Sequence, residues 1–265
     1  MFPRSKTRLL FFMVAILVCC PAFGLGRVER DILYQVSTLD ALMAGLYDGV
    51  QSIGELSRHG DFGLGTFDAL DGEMVVLDGR FYQVRFDGTT TRVNKRFTTP
   101  FACVTFFDKD LTIPLTVPHD WGRIQGVLDG ALSSRNAFHA IRIDGTFLFV
   151  KTRSVPRQEK PYTRKLAEIA AEQSVFEMRN ITGTIVGFFC PYYSKGANLP
   201  GFHLHFISQD RTQGGHVLEA SLLHGTLFVD ETLGFQMSLP STDSFRRLVI
   251  QEADKEAVSV VERGK

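Results

Sequence analysis

Three histidines, His203, His205 and His216, lie close together between residues 201 and 216. Apolar residues flank the first two, which is typical of a β-strand, where alternate side chains share one face. The polar, glycine-containing residues 210–215 predict a turn, and the residues that follow predict a returning strand. If the loop has an even number of residues, all three imidazoles lie on the same face.

Three imidazoles that converge on one point, with a coordination position left over, are typical of a catalytic zinc site. Polar groups in so apolar a setting need a partner, which favours a bound metal. Neutral imidazole also suits copper, iron and nickel, and the pattern alone does not distinguish these metals. The segment contains no cysteine, which argues against a structural thiolate site.

A metal site that performs chemistry also needs groups that move protons or hold the substrate. Glu73 opens an apolar strand at residues 74–77, where it is either a solvated strand end or a site residue. Arg153 follows the apolar residues 146–150 and either extends to water or binds an anionic substrate. The residues themselves leave both alternatives open.

Other titratable residues have a simpler interpretation. Four further histidines stand singly, and the pattern predicts surface or capping roles for them: His59, His119, His139 and His224. Three glutamates of the tail lie in an amphipathic pattern and by that pattern form a solvated face: Glu252, Glu256 and Glu262.

Periodicity predicts the elements that must position these residues. Residues 31–36 form a short strand, and residues 37–50 form a helix capped by Ser37 or Thr38. The period is strand-like from 62 to 107, where three Asp-Gly pairs, at 71–72, 78–79 and 87–88, predict hairpins. A second helix is predicted at 163–175, β-structure at 181–229, and a mostly helical tail at 242–262.

The predicted fold is therefore α+β, with two mixed or antiparallel sheet-containing halves and flanking helices. Residues 25–180 form an N-terminal sheet domain, and residues 181–265 form a C-terminal metal-binding sheet domain with a helical tail. A similar segment recurs from Asp78, Asp144 and His224, each a glycine-containing turn that leads into a strand. Shared hairpin chemistry explains it, and a duplicated β-hairpin-rich unit is the alternative.

Residues 1–24 have the pattern of an export signal. Basic residues precede an apolar run at 9–20, and small residues follow it. That run is too short to cross a membrane comfortably, so we expect cleavage near Gly24, an exported (periplasmic or secreted) protein and no transmembrane span in the mature chain.

Charge and cysteine content limit the partners of the mature chain. Without the three basic residues of the leader, 26 of the 29 basic residues remain against 29 acidic ones. This balance offers no electrostatic surface for nucleic acid, so we expect no such partner. Cys103 and Cys190 also remain, and the sequence leaves open whether they form a disulfide.

Several segments together resemble the α-acetolactate decarboxylases of bacterial acetoin biosynthesis. The resembling segments cover nearly the whole mature chain in order: residues 34–49, 60–73, 175–177, 183–188, 201–206 and 214–216. In that family, three histidines that match His203, His205 and His216 bind zinc. A glutamate after Leu-Asp-Gly, here Glu73, and an arginine matching Arg153 face the substrate.

The resemblance also implies roles that no pattern indicates. A tail glutamate reaches the metal, and Glu262 fits the family ending best, with Glu256 in reserve. Thr66, in a Gly-Thr-Phe-Asp motif, is a substrate contact. The resemblance further suggests a homodimer.

The implied reaction converts 2-acetolactate, a 2-hydroxy-3-keto acid, to (R)-acetoin and carbon dioxide. Zinc would stabilise the enediolate left by decarboxylation, and Glu73 or the tail glutamate would protonate it. Two other classes fit the histidines. A cupin-like metal oxygenase also begins its motif with His-x-His on a strand, and an exported metal-binding protein would need no catalytic groups.

Overall fold

The computed structural model describes residues 30–250 and 255–263 of the 265-residue chain, with side chains in the last helix described for 256–261. The predicted export signal at 1–24 lies outside the described residues. Across the described part of the chain, no helix has the length and hydropathy that a membrane crossing needs.

Fourteen strands and six α-helices follow one another along the described chain. The strands are β1 Ile32–Val36, β2 Gln51–Ser52, β3 Phe62–Thr66, β4 Glu73–Leu77, β5 Arg80–Val84, β6 Thr90–Arg92, β7 Thr98–Thr99, β8 Ala102–Thr105, β9 Leu111–Leu115, β10 Phe138–Ser154, β11 Ser174–Cys190, β12 Gly201–Ser208, β13 Gly214–Thr232 and β14 Gly234–Ser238. The helices are α1 Leu39–Met43, α2 Ile53–Leu56, α3 Trp121–Ala131, α4 Leu166–Ala170, α5 Asp243–Arg247 and α6 Lys255–Arg263. Short 3-10 turns lie at Asp68–Leu70 and Tyr192–Ser194.

Two large sheets form the framework. The first has seven strands in the order β14-β1-β8-β3-β4-β5-β6, and all neighbours are antiparallel except β1 and β14. The second has the order β10-β11-β12-β13-β9, entirely antiparallel, and β10 also pairs with β13. Strands β10 to β13 therefore form a closed ring of pairings, which satisfies backbone groups that an open edge would expose. The short strands β2 and β7 pair separately.

The two sheets pack face to face across the largest apolar cluster. Leu64 and Val75 of the first sheet meet Val186 and Phe188 of the second in this layer, and helices α1, α4 and α6 cover its margin. The opposite faces of the second-sheet strands point into another cluster, which α3 closes with Ile124. Strands β10 to β13 are consequently buried on both faces over much of their length. The polar site lies between the two sheets.

The structure confirms the α+β fold class and one of its strongest local signals. Asp78 and Gly79 connect β4 to β5 with φ of 52° and 69°, the left-handed pair that a tight hairpin requires. The predicted division between 180 and 181 falls inside β11, so residues on both sides of it belong to the second sheet. Strand β14 of the C-terminal half joins the first sheet. The division into domains stays a prediction.

The helix predicted at 37–50 is shorter than expected. Thr38 caps it as predicted, because its side chain accepts a hydrogen bond from the Ala41 amide, but the helix ends at Met43. Gly45 has φ of 104°, and the amides of Gly45 and Leu46 donate back to the carbonyls of Leu42 and Ala41. This is a Schellman ending, which the glycine could have indicated.

The helix predicted at 163–175 is also shorter, because its last residues belong to a strand. Helix α4 spans only Leu166–Ala170, and β11 begins at Ser174, which pairs with Ser154. The long partner strand β10 extends the ladder into residues that local periodicity assigns to a helix. Pairing between distant segments here overrides local preference.

The repeated glycine segments do not share a turn. Asp78 does lie in a hairpin, whereas Asp144 lies within β10 and His224 within β13. Gly145 and Gly225 face each other across these two strands, and a Cβ on Gly145 would lie 2.6 Å from the His224 carbonyl oxygen. Close strand approach, not turn chemistry, explains these two glycines.

Candidate metal and active site

The structure brings His203, His205 and His216 together on one face of a strand pair. His203 and His205 are two residues apart on β12, and His216 of β13 lies directly opposite His205 in the ladder. The three ring centroids are separated by 5.1, 5.0 and 5.3 Å. One ligand nitrogen from each residue lies within 4.8 Å of the other two. This geometry could hold a metal ion.

Two glycines let the neighbouring backbones approach closely enough for this convergence. Gly187 lies on β11 beside the histidine-bearing strand, and a Cβ there would lie only 2.0 Å from the carbonyl oxygen of His203. Gly215 precedes His216 with φ of 131°, and a Cβ there would lie 2.6 Å from the carbonyl oxygen of Arg153. Larger residues at either position would move a histidine-bearing strand.

A backbone group of the opposite sheet orients His205. Its Nδ1 lies 2.8 Å from the carbonyl oxygen of Met74, so this nitrogen carries the proton and donates it. Nε2 is then the nitrogen with the lone pair. It is buried and has no hydrogen-bond partner among the described residues. Metal-binding histidines typically donate a hydrogen bond from the ring nitrogen that does not bind the metal, and this bond fixes the tautomer.

The surroundings keep the imidazoles of His203 and His205 neutral. Burial lowers the pKa of His205 well below its ordinary value, with further lowering from His203 and Arg153 and an opposing effect from the Met74 carbonyl. Desolvation, followed by the positive charge of Arg153, lowers the pKa of His203 to about 3. Neutral imidazole is the form that binds a metal ion, so both residues are ready ligands at neutral pH.

Glu73 and Arg153 lie beside the histidines as a buried ion pair. Arg153 pairs with His216 in the ladder between β10 and β13, and its Nη1 donates to Oε1 of Glu73. The other carboxylate oxygen, Oε2, lies 3.6 Å from Nε2 of His205. Both charged side chains are nearly inaccessible to solvent. Glu73 thus reaches both the arginine and the histidine cluster.

Helix α6 closes this site. Nη2 of Arg153 donates to the carbonyl oxygen of Val261 at 2.8 Å, and the Val261 side chain is buried. The Nε–H of Arg153 has no acceptor among the described residues. Arg153 therefore links the ion pair to the C-terminal helix, and its Nε–H remains available to a ligand.

A small cavity of about 40 Å³ connects these groups. Its polar side consists of Glu73, Arg153, His203 and His205 together with Thr66. Its apolar side is formed by Leu39, Leu42, Leu70, Phe101, Val155 and Leu166, together with Val261. Leu39 and Leu42 of α1 belong to the apolar stripe of the predicted helix, but the sequence does not show whether such leucines line a cavity or lie in the core. The sequence also gives no indication that Met74 contributes to the site, because its contribution is a backbone carbonyl.

The remaining predicted residues occupy different positions. Thr66 lines the cavity, but its hydroxyl donates to the carbonyl oxygen of Gly72 at 2.7 Å and thereby holds the turn before Glu73. Glu262 follows Val261 in α6, and its side chain lies outside the described residues. Glu256 is exposed near the start of the same helix.

The four single histidines lie outside the cluster. His59 stacks on Tyr34 with ring centroids 3.7 Å apart, and His119 is partly buried. His224 is exposed on β13, not at a turn. His139 is 1% exposed and bonded to Ser133, so a surface role is wrong for it.

Known proteins share this sequence and fold. Residues 33–252 match the protein family described as alpha-acetolactate decarboxylase. The alpha-acetolactate decarboxylase of Methanosarcina mazei is 48% identical over 233 residues, which cover 88% of this chain and 81% of the relative. The enzyme of that name from Bacillus subtilis is 42% identical over 222 residues, which cover 83% and 87%.

A solved structure supports the same grouping. The crystal structure of alpha-acetolactate decarboxylase from Bacillus subtilis strain 168 matches with a TM-score of 0.84 at 40% identity. The match covers 87% of this chain and 99% of that one. The similarity therefore extends over both sheets and includes the strands that carry the histidine cluster.

Proposed function

The chain belongs to the alpha-acetolactate decarboxylase family, and we propose that it converts 2-acetolactate to (R)-acetoin and carbon dioxide with a zinc ion bound by His203, His205 and His216. The decarboxylase activity follows from similarity over most of the chain, including a relative at 48% identity. The convergence of the three histidines beside Glu73 and Arg153 is the observation that carries the metal-dependent mechanism.

The donor set fits zinc. The cluster provides neutral imidazoles, and the buried Nε2 of His205 lacks a hydrogen-bond partner in the described chain, which a metal ion would supply. Three imidazoles leave coordination positions open for further oxygen ligands. Decarboxylation transfers no electron to or from the metal, so a redox-inert ion is sufficient. From the family resemblance we add Glu262 as a further ligand at the metal.

Loss of carbon dioxide from 2-acetolactate leaves its bonding electrons on the substrate, where they form an enediolate with the neighbouring ketone. A zinc ion held by His203, His205 and His216 would supply Lewis acidity that stabilises the negative charge left on the substrate. Arg153 orients the departing carboxylate with its Nε–H. Its hydrogen bond to Glu73 fixes the position of the glutamate side chain.

Glu73 completes the reaction: its carboxyl group takes up one proton from water in each turnover and delivers it to one face of the enediolate carbon. Its Oε1 is held by Arg153, which leaves Oε2 on the side of His205 and the cluster. A proton donor fixed on one side of a planar intermediate gives a single enantiomer. The leucine-rich wall excludes water, which would otherwise protonate either face.

Two further proposals concern the protein as a whole. The leader at 1–24 supports export, and the family resemblance supports a homodimer. Fractionation of cells that produce the full chain and light scattering of the purified protein test them.

An assay of purified protein tests the function. We expect the full chain to form acetoin and carbon dioxide from 2-acetolactate without dioxygen, and chiral chromatography to show the (R) enantiomer. His203→Ala should lose both bound zinc, measured by elemental analysis, and turnover. His224→Ala removes an exposed histidine from the same sheet and is the matched control. Full activity of metal-free His203→Ala would refute the metal site.

A further inference from the structure

We propose that Val261 of α6 sets the size of the apolar substituent that the site accepts on its 2-hydroxy-3-keto acid substrate. This inference rests on the proposed function and assigns it a specificity-determining residue. Among the described side chains of the C-terminal helix, that of Val261 lines the cavity beside Glu73 and Arg153.

The cavity is too small for the substrate as it stands. Its volume of about 40 Å³ holds about three water molecules, because a cavity needs roughly 10–15 Å³ to hold one. A five-carbon hydroxy keto acid is larger than three water molecules, so at least one wall must withdraw when it binds. The size to which the cavity opens then determines which acids enter.

Helix α6 is a wall of the cavity that belongs to neither sheet. Helices α1 and α4 also line the cavity, and the other wall residues lie in the first and second sheets or in the segments next to them. Helix α6 has nine residues and packs on the core through one apolar face. An isolated helix of this length is marginal in water, so its position depends on that packing.

Val261 has two separate contacts with the site. Its carbonyl lies in the last turn of α6, where carbonyls have no intrahelical partner, and it accepts from Nη2 of Arg153. Its side chain lies in the cavity wall, and the residue is 3% exposed. The backbone contact fixes α6 next to the ion pair, so the volume of the side chain determines the room left beside Arg153.

The size of residue 261 should therefore change the preference between two homologous acids. We suggest 2-acetolactate and 2-aceto-2-hydroxybutanoate, which has an ethyl group in place of one methyl group. Val261→Ala removes two methyl groups from the wall and should raise kcat/KM for the larger acid relative to the smaller by roughly tenfold or more. Val261→Leu should shift the same ratio in the opposite direction.

Val258→Ala is the matched control. Val258 lies one turn earlier on α6 and packs against the core without lining the cavity, so the same loss of two methyl groups should leave the ratio unchanged. Thermal unfolding of each variant reports whether α6 is still folded onto the core. If Val261→Ala fails to fold, Val261→Leu, which keeps an apolar side chain, carries the test.

The outcomes separate this inference from the function on which it rests. A wild-type protein that turns over neither acid refutes the proposed function, and the role of Val261 with it. A wild-type protein that is active, with the same preference in Val261→Ala and Val261→Leu, refutes the role of Val261 alone. An equal shift in Val258→Ala also refutes it, because it would show a general effect of loosening the helix.

Discussion

Arg153 donates a hydrogen bond to Glu73, and this ion pair joins the two sheets of the protein. Glu73 begins β4 of the seven-stranded sheet, and Arg153 lies near the end of β10 of the five-stranded sheet. The side chains are 6% and 5% exposed. A buried ion pair costs desolvation that an apolar pair would not, so its presence next to the histidines indicates a role in the site.

Replacing Glu73 by glutamine should separate chemistry from folding. The amide oxygen can still accept from Arg153, so we expect a folded protein that retains its metal. It cannot deliver the proton, so kcat should fall about 10²–10⁴-fold, with a loss of enantiomeric purity in the product. Glu177→Gln changes an exposed carboxylate and is the control. Wild-type rate and pure (R)-acetoin from Glu73→Gln would show that Glu73 is not the donor.

Replacing Arg153 by lysine should show whether the guanidinium geometry matters. One ammonium cannot reproduce the fork that reaches Glu73 and the Val261 carbonyl together. Lysine also lacks the Nε–H that we propose binds the substrate carboxylate. Loss of that charged hydrogen bond to the substrate costs about 1.5–3 kcal/mol, so KM should rise at least roughly tenfold. Steady-state kinetics check this, with exposed Arg123→Lys as the control. An unchanged KM would contradict the substrate-orienting role.

Gly187→Ala should disturb the histidine cluster without changing any polar group. The added Cβ would lie 2.0 Å from the carbonyl oxygen of His203, so β11 and β12 must separate. We expect a loss of about 1–3 kcal/mol in the free energy of unfolding and weaker metal binding. Gly126→Ala on α3 meets no atom within 4 Å and should be neutral or stabilising. Equal stability and metal content in both variants would show that Gly187 is not needed for the close approach of β11 and β12.

Asp230 should make stability depend on pH. Burial raises its pKa from the ordinary value of 3.8 to about 7, against a bond from the Asp108 amide and with nearby Asp110, Asp31 and Asp108 adding to the rise. Between these pKa values only the folded chain keeps the proton, so the free energy of unfolding should fall as pH rises from about 4 to 7.

Asp230→Asn removes the titrating carboxyl group and so tests this pH dependence of stability. The variant should be more stable than the wild type above pH 7, on the order of 4 kcal/mol, and the difference should vanish below about pH 4. Urea unfolding at pH 4, 6 and 8 measures it. Asp129→Asn, which changes an exposed carboxylate, should follow the wild-type curve. Parallel curves for the wild type and Asp230→Asn would refute the buried titration.

Local signals predicted much of the secondary structure. Thr38 as a cap and Asp78-Gly79 as a hairpin turn act through backbone atoms a few residues away, so the sequence is sufficient to identify them. The ends of the helices were less predictable. Helix α4 gives way to β11 at Ser174 because β10, far away in sequence, supplies a pairing partner. Local periodicity contains no information about such a partner.

By itself, the sequence determined that His203, His205 and His216 could share one face, because strand alternation and a short turn decide this locally. Only the tertiary structure decided that the Met74 carbonyl orients His205, that Arg153 holds Glu73, and that Val261 closes the cavity. Each of these contacts joins different sheets, or a sheet and the C-terminal helix. Their geometry depends on how the layers pack around the core, which no local pattern of residues specifies.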